Sequence, residues 1–73
     1  MENSKEPIRL RKRKTPNGLF SLYLDIYLNG KRSYEYLRLY LVPEKTREDK
    51  KKNKDTMQLA EDIRAKRVVE LRN

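Results

Sequence analysis

Tyrosine and arginine side chains are the residues of this sequence that could do chemistry, and they recur at every second position through its middle. Between positions 19 and 41 the chain reads LFSLYLDIYLNGKRSYEYLRLYL, a stretch that holds all five of its tyrosines. Arginine binds phosphates and guanine edges through paired N–H groups, and tyrosine offers a flat apolar ring with a hydroxyl that can reach a phosphate. Together these side chains predict contact with a polyanion.

The spacing of these residues predicts two antiparallel strands joined by a tight turn. Alternation with a period of two places neighbouring side chains on opposite faces of a strand. Asn29-Gly30 separates the two runs, and both residues tolerate the positive φ angles of a two-residue type I′ hairpin. A slip of one residue would exchange the leucines and the tyrosines, so burial of the leucine side protects the register. The predicted pairs are Leu28–Lys31, Tyr27–Arg32, Asp25–Tyr34, Tyr23–Tyr36, Leu22–Leu37, Ser21–Arg38 and Phe20–Leu39.

A third strand is predicted upstream of the hairpin. Positions 8–14 alternate Arg9, Arg11 and Arg13 with residues of the leucine side, and they end at Thr15-Pro16-Asn17-Gly18. That tetrapeptide is typical of a type I turn followed by a left-handed glycine. The three arginines then share one side of the sheet with the five tyrosines, and we call this side the tyrosine face. On the other side the predicted pairs are Lys14–Phe20, Leu10–Leu24 and Ile8–Ile26.

One C-terminal helix completes the predicted fold. Val42-Pro43 ends the third strand, because proline cannot donate to a strand ladder. The residues from Thr46 to Asp49 resemble a capping signal, although the helix could begin anywhere from Thr46 to Asp55. Arg64 and Arg67 should lie at the margin of the apolar stripe with their stems buried. The stripe itself is formed by Met57, Ala60, Ile63, Val68 and Leu71.

Length agrees with a single small domain of the α+β class. The chain has 73 residues, enough for one sheet and one helix and for only a modest core. We therefore predict a three-stranded antiparallel β-meander packed against one C-terminal α-helix. The strands are expected near residues 8–14, 19–28 and 31–41, and the helix is expected to end near residue 71.

Composition argues against several classes of function. The chain has no cysteine and no histidine, which removes thiol chemistry and the usual zinc ligands. It lacks a hydrophobic signal region and any apolar run near the roughly 20 residues of a membrane span. It also lacks a glycine-rich phosphate loop and a carboxylate pair in a predicted cleft. We therefore expect no catalytic residue, no metal, no cofactor and no membrane partner.

The charge of the chain favours a nucleic acid. The net charge is +8, and residues 1–14 alone hold six bases and two acids. Asp25 is the single acid expected on the tyrosine face, where we predict that it pairs with Arg9. Five arginines would repel one another if this face were merely structural or packed on another domain, so a polyanion is the better explanation.

The residues predicted to contact nucleic acid belong to the tyrosine face and its rim. Lys12, Lys14 and Lys31 lie at edges or turns and should contact phosphates. The lysines at 50–52 are expected to be solvated helix surface or a phosphate contact rather than a specific site. The predicted set is Arg9, Arg11, Lys12, Arg13, Lys14, Ser21, Tyr23, Tyr27, Lys31, Arg32, Tyr34, Tyr36, Arg38 and Tyr40.

The segment from Leu10 to Leu71 resembles the N-terminal arm-type DNA-binding domain of tyrosine recombinases, in particular the integrases of conjugative transposons. The most specific likeness lies in SLYLDIY at 21–27, NGKR at 29–32, LYL at 39–41 with Pro43, and the helix residues 60–67. The resemblance implies a sheet that docks into the major groove of double-stranded DNA at arm sites and supports DNA integration and excision. It also implies that the nucleophilic tyrosine lies in another domain, so none of the five tyrosines here has that role.

The resemblance sets further expectations about organisation and location. Residues 1–7 are expected to be a flexible N-terminus and residues 8–73 the arm-type domain of a longer integrase, because the helical pattern runs to the end without a glycine or proline stop. Expected partners are DNA and the other domains and protomers of that integrase. The fragment alone is expected to be a monomer, and the location to be the bacterial cytoplasm at the nucleoid.

Two alternatives stay open. An RNA or single-stranded nucleic-acid module is one, because basic sheets with exposed aromatic residues also stack unpaired bases. The other is a protein-interaction domain that positions a partner in a recombination complex.

Overall fold

Three antiparallel strands and one helix form the fold, as the sequence predicts. The computed structural model describes residues 7–72, with the backbone alone at residue 72. The elements are β1 (Ile8–Lys14), β2 (Phe20–Leu28), β3 (Lys31–Leu41) and α1 (Arg47–Arg72), and the strand order is β1-β2-β3. The α+β meander with a C-terminal helix is therefore confirmed. Of the segment expected to be flexible, residues 1–6 lie outside the described residues.

Both predicted turns are present. Asn29 and Gly30 have φ angles of 54° and 77°, the left-handed values that a type I′ hairpin needs. At the first turn the N–H of Gly18 donates to the carbonyl oxygen of Thr15 at 3.1 Å, and Gly18 has a φ of 86°. These conformations explain why Asn-Gly and Pro-Asn-Gly occupy the two turns, since L residues with larger side chains rarely adopt them.

The register between β1 and β2 is the predicted one along its whole length. Ile8 pairs with Ile26, Leu10 with Leu24 and Lys14 with Phe20. Between β2 and β3 the predicted register holds from the Leu28–Lys31 pair to the Tyr23–Tyr36 pair.

Beyond Tyr36 a β-bulge changes the register of β3. Ser21 pairs with Tyr40 and Phe20 with Leu41, so the predicted pairs Ser21–Arg38, Leu22–Leu37 and Phe20–Leu39 are wrong. Between the pairs Tyr23–Tyr36 and Ser21–Tyr40, one residue of β2 lies opposite three residues of β3. A displacement of two residues equals the period of a strand, so the two faces keep their side chains.

Arg38 adopts the backbone conformation that makes this bulge possible. Its φ angle is 59°, in the left-handed region that arginine rarely occupies. The sequence carries no glycine or asparagine there, which is why the alternating pattern did not predict a bulge.

The helix packs on the leucine side of the sheet. Ile8, Leu22, Leu24 and Ala60 are fully buried there. The helix contacts β3 and β1, so it crosses the sheet and leaves the tyrosine face uncovered. The predicted apolar stripe is correct in its middle, where Ala60 is buried and Ile63 and Val68 are half-buried. It is wrong at its ends, because Met57 and Leu71 are 37% and 42% exposed.

A reciprocal cap fixes the start of the helix at Arg47. The N–H of Asp49 donates to the hydroxyl of Thr46 at 3.2 Å, and the N–H of Thr46 donates to Oδ2 of Asp49 at 3.1 Å. Aspartate thus performs the role that glutamate or glutamine usually has in a capping box. The N–H of Lys45 also donates to this carboxylate, and together these bonds lower the pKa of Asp49 below its ordinary value.

Two arginines attach the second half of the helix to the sheet. Arg67 donates to Glu35 on β3 from Nε at 2.9 Å and from Nη2 at 2.8 Å, and this fork lowers the pKa of Glu35. Arg64 donates to the carbonyl oxygen of Ile8 at 3.4 Å. Both side chains are half-buried, which confirms that they lie at the margin of the core.

A buried asparagine attaches the first half of the helix. Asn53 is 7% exposed. Its Oδ1 accepts from the N–H of Val42 at 2.9 Å, and its Nδ2 donates to the carbonyl oxygen of Val42 at 2.8 Å and to Glu44 at 3.0 Å. The side chain therefore satisfies both backbone groups of the residue that follows β3.

We expect Asn53→Ala to lower the free energy of unfolding by about 2 kcal/mol, because it leaves both backbone groups of Val42 without partners in a partly buried position. Urea unfolding followed by circular dichroism measures the change. Gln58→Ala is the matched control, since Gln58 is exposed on the same helix. Equal stability of the two variants would show that water replaces the amide at no cost.

Candidate nucleic-acid interface

The tyrosine face is the open side of the sheet. Leu22 and Leu24 on the opposite side are 1% and 0% exposed, whereas Tyr23 is half-buried and the other four tyrosines are exposed. Their exposed fractions are 54% for Tyr27, 53% for Tyr34, 51% for Tyr36 and 44% for Tyr40. The predicted assignment of the two faces is therefore confirmed.

Three tyrosines form an aromatic cluster at the centre of this face. The rings of Tyr23 and Tyr36, which are cross-strand partners, stack with centroids 5.3 Å apart and planes at 28°. The ring of Tyr34 meets Tyr23 edge-on at 5.8 Å. Contacts of this kind between neighbouring strands hold the rings in place and stabilise the sheet.

A buried carboxylate lies beside the aromatic cluster. Asp25 is 8% exposed and its Oδ2 accepts from Nε of Arg11 at 2.7 Å. Its Oδ1 lies 3.4 Å from Nε of Arg32 on the other neighbouring strand. The predicted ion pair with Arg9 is wrong, although Arg9 is the residue opposite Asp25 in the register. Long side chains reach a diagonal neighbour as easily as the residue directly opposite. The backbone register therefore did not determine which arginine contacts Asp25.

Positive charge is concentrated in the sheet. Residues 8–41 hold eight bases and two acids, so they carry six of the eight net charges of the chain. On the tyrosine face Arg32 also lies over the ring of Tyr27, with the guanidinium carbon 5.5 Å from the ring centroid. Both acids of this segment form ion pairs with arginines. Asp25 pairs with Arg11 on the tyrosine face, and Glu35 pairs with Arg67 on the other side.

A shallow recess lies at the end of the tyrosine face next to the bulge. It has a volume of about 210 Å³ and is lined by residues of the first turn and of all three strands. Its polar lining includes Arg13, Ser21, Tyr36 and Tyr40. The recess exists because the bulge brings Tyr40, rather than Arg38, opposite Ser21.

The profile of a protein family described as "Arm DNA-binding domain" matches residues 8–73. The chain belongs to that family. It is the arm-type DNA-binding domain of tyrosine recombinases and integrases, so the resemblance seen in the sequence is confirmed. The family is a DNA-binding module and not a catalytic one. No curated protein matches the chain, and no solved structure does.

The arm domain brings most of the predicted site residues to one surface. By register, the tyrosine face holds Arg9, Arg11, Arg13, Ser21, Tyr23, Tyr27, Arg32, Tyr34, Tyr36 and Tyr40. Arg38 lies within the bulge, where its side chain is exposed.

Three lysines that were predicted to contact DNA alternate with the tyrosine face and so belong to the leucine side of the sheet. Lys12 pairs with Leu22 and Lys14 with Phe20, on the side that faces the helix, and Nζ of Lys12 lies 4.9 Å from the centroid of the Phe20 ring. Lys31 pairs with Leu28 at the hairpin. All three are exposed, so they remain at the rim of the sheet as predicted.

Sequence reasoning missed a groove on the helix side of the arm domain. It has a volume of about 570 Å³ and is lined by residues from the middle of β1, from β2 and β3, and from the helix. Its apolar lining includes Leu10, Leu22, Leu41 and Met57, with Lys12 at the rim. Met57 lines this groove and is 37% exposed, although the helical period assigned it to the core.

Metal and membrane features are absent from the described part of the arm domain. Among residues 7–72, no three histidine, cysteine, aspartate or glutamate side chains are grouped as metal ligands. The helix within that range is too polar to cross a bilayer.

Proposed function

We propose that this arm domain binds double-stranded DNA sequence-specifically by inserting its tyrosine face into the major groove. The observation that carries the proposal is that the face richest in arginine and tyrosine is also the face that α1, the helix within residues 7–72, does not cover. Family membership supports DNA as the partner, and the geometry of the sheet supports the groove.

The dimensions of the sheet suit the major groove. Strands lie about 4.8 Å apart, so the outer two strands of a three-stranded sheet are about 10 Å apart. The major groove of B-DNA is about 12 Å wide, and it admits a β-ribbon whose side chains point at the base edges. A sheet whose other side carried no helix would lack the support that holds such a ribbon rigid.

The tyrosine face and the rim of the sheet supply different contacts, the face to bases and the rim to phosphates. Arg11 and Tyr36 lie near its centre, so we assign them to base edges, where an arginine can bind guanine through two N–H groups. Lys12, Lys14 and Lys31 lie at the rim and we assign them to phosphates, which contribute affinity without reading sequence.

Stacking of the tyrosines on one another favours a duplex over a single strand. Single-stranded binding requires ring faces that are free to stack on bases. Tyr23 and Tyr36 already stack on each other, and Tyr27 lies against Arg32. These contacts occupy one face of each of these three rings, and the tyrosine hydroxyls and the arginines suit groove edges and phosphates.

In the complete protein we propose that residues 8–73 are the arm-type domain of a tyrosine recombinase whose catalysis resides in another domain. The domain would anchor the enzyme at arm sites during DNA integration and excision. Its remaining partners would be the other domains and protomers of that recombinase. By itself the domain would neither cut nor join DNA.

The test measures affinity for a duplex selected by the chain from a random-sequence library, against a scrambled duplex of equal composition, at several salt concentrations. Arg11→Ala and Tyr36→Ala should weaken binding to the selected duplex by about 1–3 kcal/mol each and bring it closer to the scrambled one. Lys51→Ala removes an exposed base on the helix and is the control. It should leave the ratio of the two affinities unchanged and lower the salt slope by at most about one unit.

Two results would contradict the proposal. If Lys51→Ala reduced the preference for the selected duplex as much as the sheet variants, the helix side would be the docking surface. If the corresponding single strands bound more tightly than the duplex, the domain would be a single-strand module.

A further inference from the structure

Asp25 is an acid in the middle of a surface that we propose to meet DNA. Alone it would repel phosphates, so its presence needs a reason. The side chain is 9% exposed, and arginines from both outer strands approach it. Oδ2 accepts a hydrogen bond from Arg11, whereas Oδ1 forms an ion pair with Arg32 and accepts no hydrogen bond from residues 7–72. Arg11 and Arg32 themselves remain 45% and 57% exposed. The carboxylate is therefore beneath the surface that the two arginines present.

The guanidinium atoms that lie near Asp25 determine which N–H groups of the two arginines remain available. In both arginines the atom nearest to Asp25 is Nε: that of Arg11 donates a hydrogen bond at 2.7 Å, and that of Arg32 lies at 3.4 Å in an ion pair without a hydrogen bond. A guanidinium has five N–H groups, and contact at Nε leaves the two terminal nitrogens with an unused edge. Within residues 7–72 neither Arg11 nor Arg32 forms a hydrogen bond or ion pair with any other carboxylate. That free edge can bind guanine or phosphate through two parallel hydrogen bonds.

We propose that Asp25 is a positioning residue that orients the guanidinium groups of Arg11 and Arg32 for recognition of the major groove. The inference rests on the proposed function. Asp25 itself does not touch the DNA, because it is buried. Instead it fixes two long side chains before binding, so that less rotamer freedom is lost when the duplex docks. The flanking aromatic cluster limits the remaining motion, since Tyr34 is the cross-strand partner of Asp25 and packs on Tyr23.

Charge and positioning predict opposite results when Asp25 is neutralised. Asp25→Asn adds one net positive charge to the proposed interface, so electrostatics alone predicts tighter binding to every duplex. Positioning predicts weaker binding to the selected duplex, by about five- to hundredfold if two arginines are released from their fixed rotamers. Binding to a scrambled duplex should at the same time be unchanged or tighter.

The experiment compares wild type, Asp25→Asn and Asp62→Asn on the selected and scrambled duplexes at fixed salt. Asp62 is exposed on the helix, so its variant makes the same change in net charge away from the tyrosine face. We expect Asp62→Asn to preserve the ratio of the two affinities and Asp25→Asn to reduce it. The unfolding midpoint of each variant is measured alongside, so that loss of fold is recognised.

A second measurement does not depend on DNA. In the free protein, the Nε–H signal of Arg11 should be protected from exchange with water and shifted by its bond to the carboxylate. In Asp25→Asn that protection should fall while the amide spectrum of the sheet is retained. A variant in which the Arg11 signal is unchanged would overturn the positioning role.

The outcomes separate the inference from the proposed function. If the wild type does not distinguish the selected from the scrambled duplex, the proposed function fails. If the wild type distinguishes them and Asp25→Asn does so equally well, the proposed function stands and the positioning role is wrong.

Discussion

Leu24→Ala is expected to lower the free energy of unfolding by about 2–5 kcal/mol, the usual cost of a large-to-small change in a core. Leu24 is 0% exposed on the central strand. Its backbone partners are Leu10 on one side and Glu35 on the other. A domain of this size has a small core and a correspondingly small margin of stability, so the variant should be largely unfolded at room temperature.

Leu28→Ala is the control for this prediction. Leu28 is a leucine of the same strand and the same parity, but it is 39% exposed next to the hairpin. Its replacement should cost about 1 kcal/mol or less, because much of its side chain is already in water. Thermal unfolding by circular dichroism compares the two. Similar losses in both variants would mean that burial along the leucine side is more even than the structure indicates.

Arg38→Gly is expected to change stability and DNA binding in opposite directions. Arg38 has a φ angle of 59°, which costs an L residue roughly 1–2 kcal/mol and costs glycine little. Glycine should therefore raise the free energy of unfolding by about 1 kcal/mol, after allowance for the greater freedom of the unfolded chain. Loss of the exposed guanidinium should weaken binding to the selected duplex by about 1–3 kcal/mol. Backbone strain kept at the proposed binding surface is consistent with a functional reason for the side chain.

Asn29→Gly isolates the backbone effect from the binding effect. Asn29 has nearly the same φ angle, 54°, but lies in the hairpin turn and its residue type tolerates this conformation. We expect little change in stability and none in the preference for the selected duplex. The prediction assumes that arginine at the bulge lowers stability and strengthens DNA binding. It would be wrong if Arg38→Gly destabilised the domain, or if this variant bound the selected duplex as tightly as wild type.

The sequence by itself determined the strands, the turns and the faces, because each of these depends on local chemistry. Asn29-Gly30 favours one hairpin geometry, and this sets the pairs near the turn without reference to distant residues. The period of two then assigns leucines to one side and tyrosines to the other. The cap at Thr46 is equally local, since its partner Asp49 lies three residues away.

Only the tertiary structure decided the features that depend on packing between elements. The bulge at Arg38 follows no turn signal in YLRLYL, and it shifts the pairs of Tyr40 and Leu41 with β2 by two residues. Crossing of the sheet by α1 left Met57 and Leu71 partly exposed, although a helical period alone would bury them. Asn53 reaches Val42 only because β3 ends beside the helix.

Within the candidate site, the sequence determined the position of Asp25, and the tertiary structure decided its contacts. The alternating pattern places it on the tyrosine face and the register places Arg9 opposite it, and both of these are observed. Its contacts go instead to Arg11 and Arg32, because flexible side chains settle by charge and space on the finished surface. Sequence period determines which residues share a face, whereas the three-dimensional arrangement of all three strands decides which of them touch.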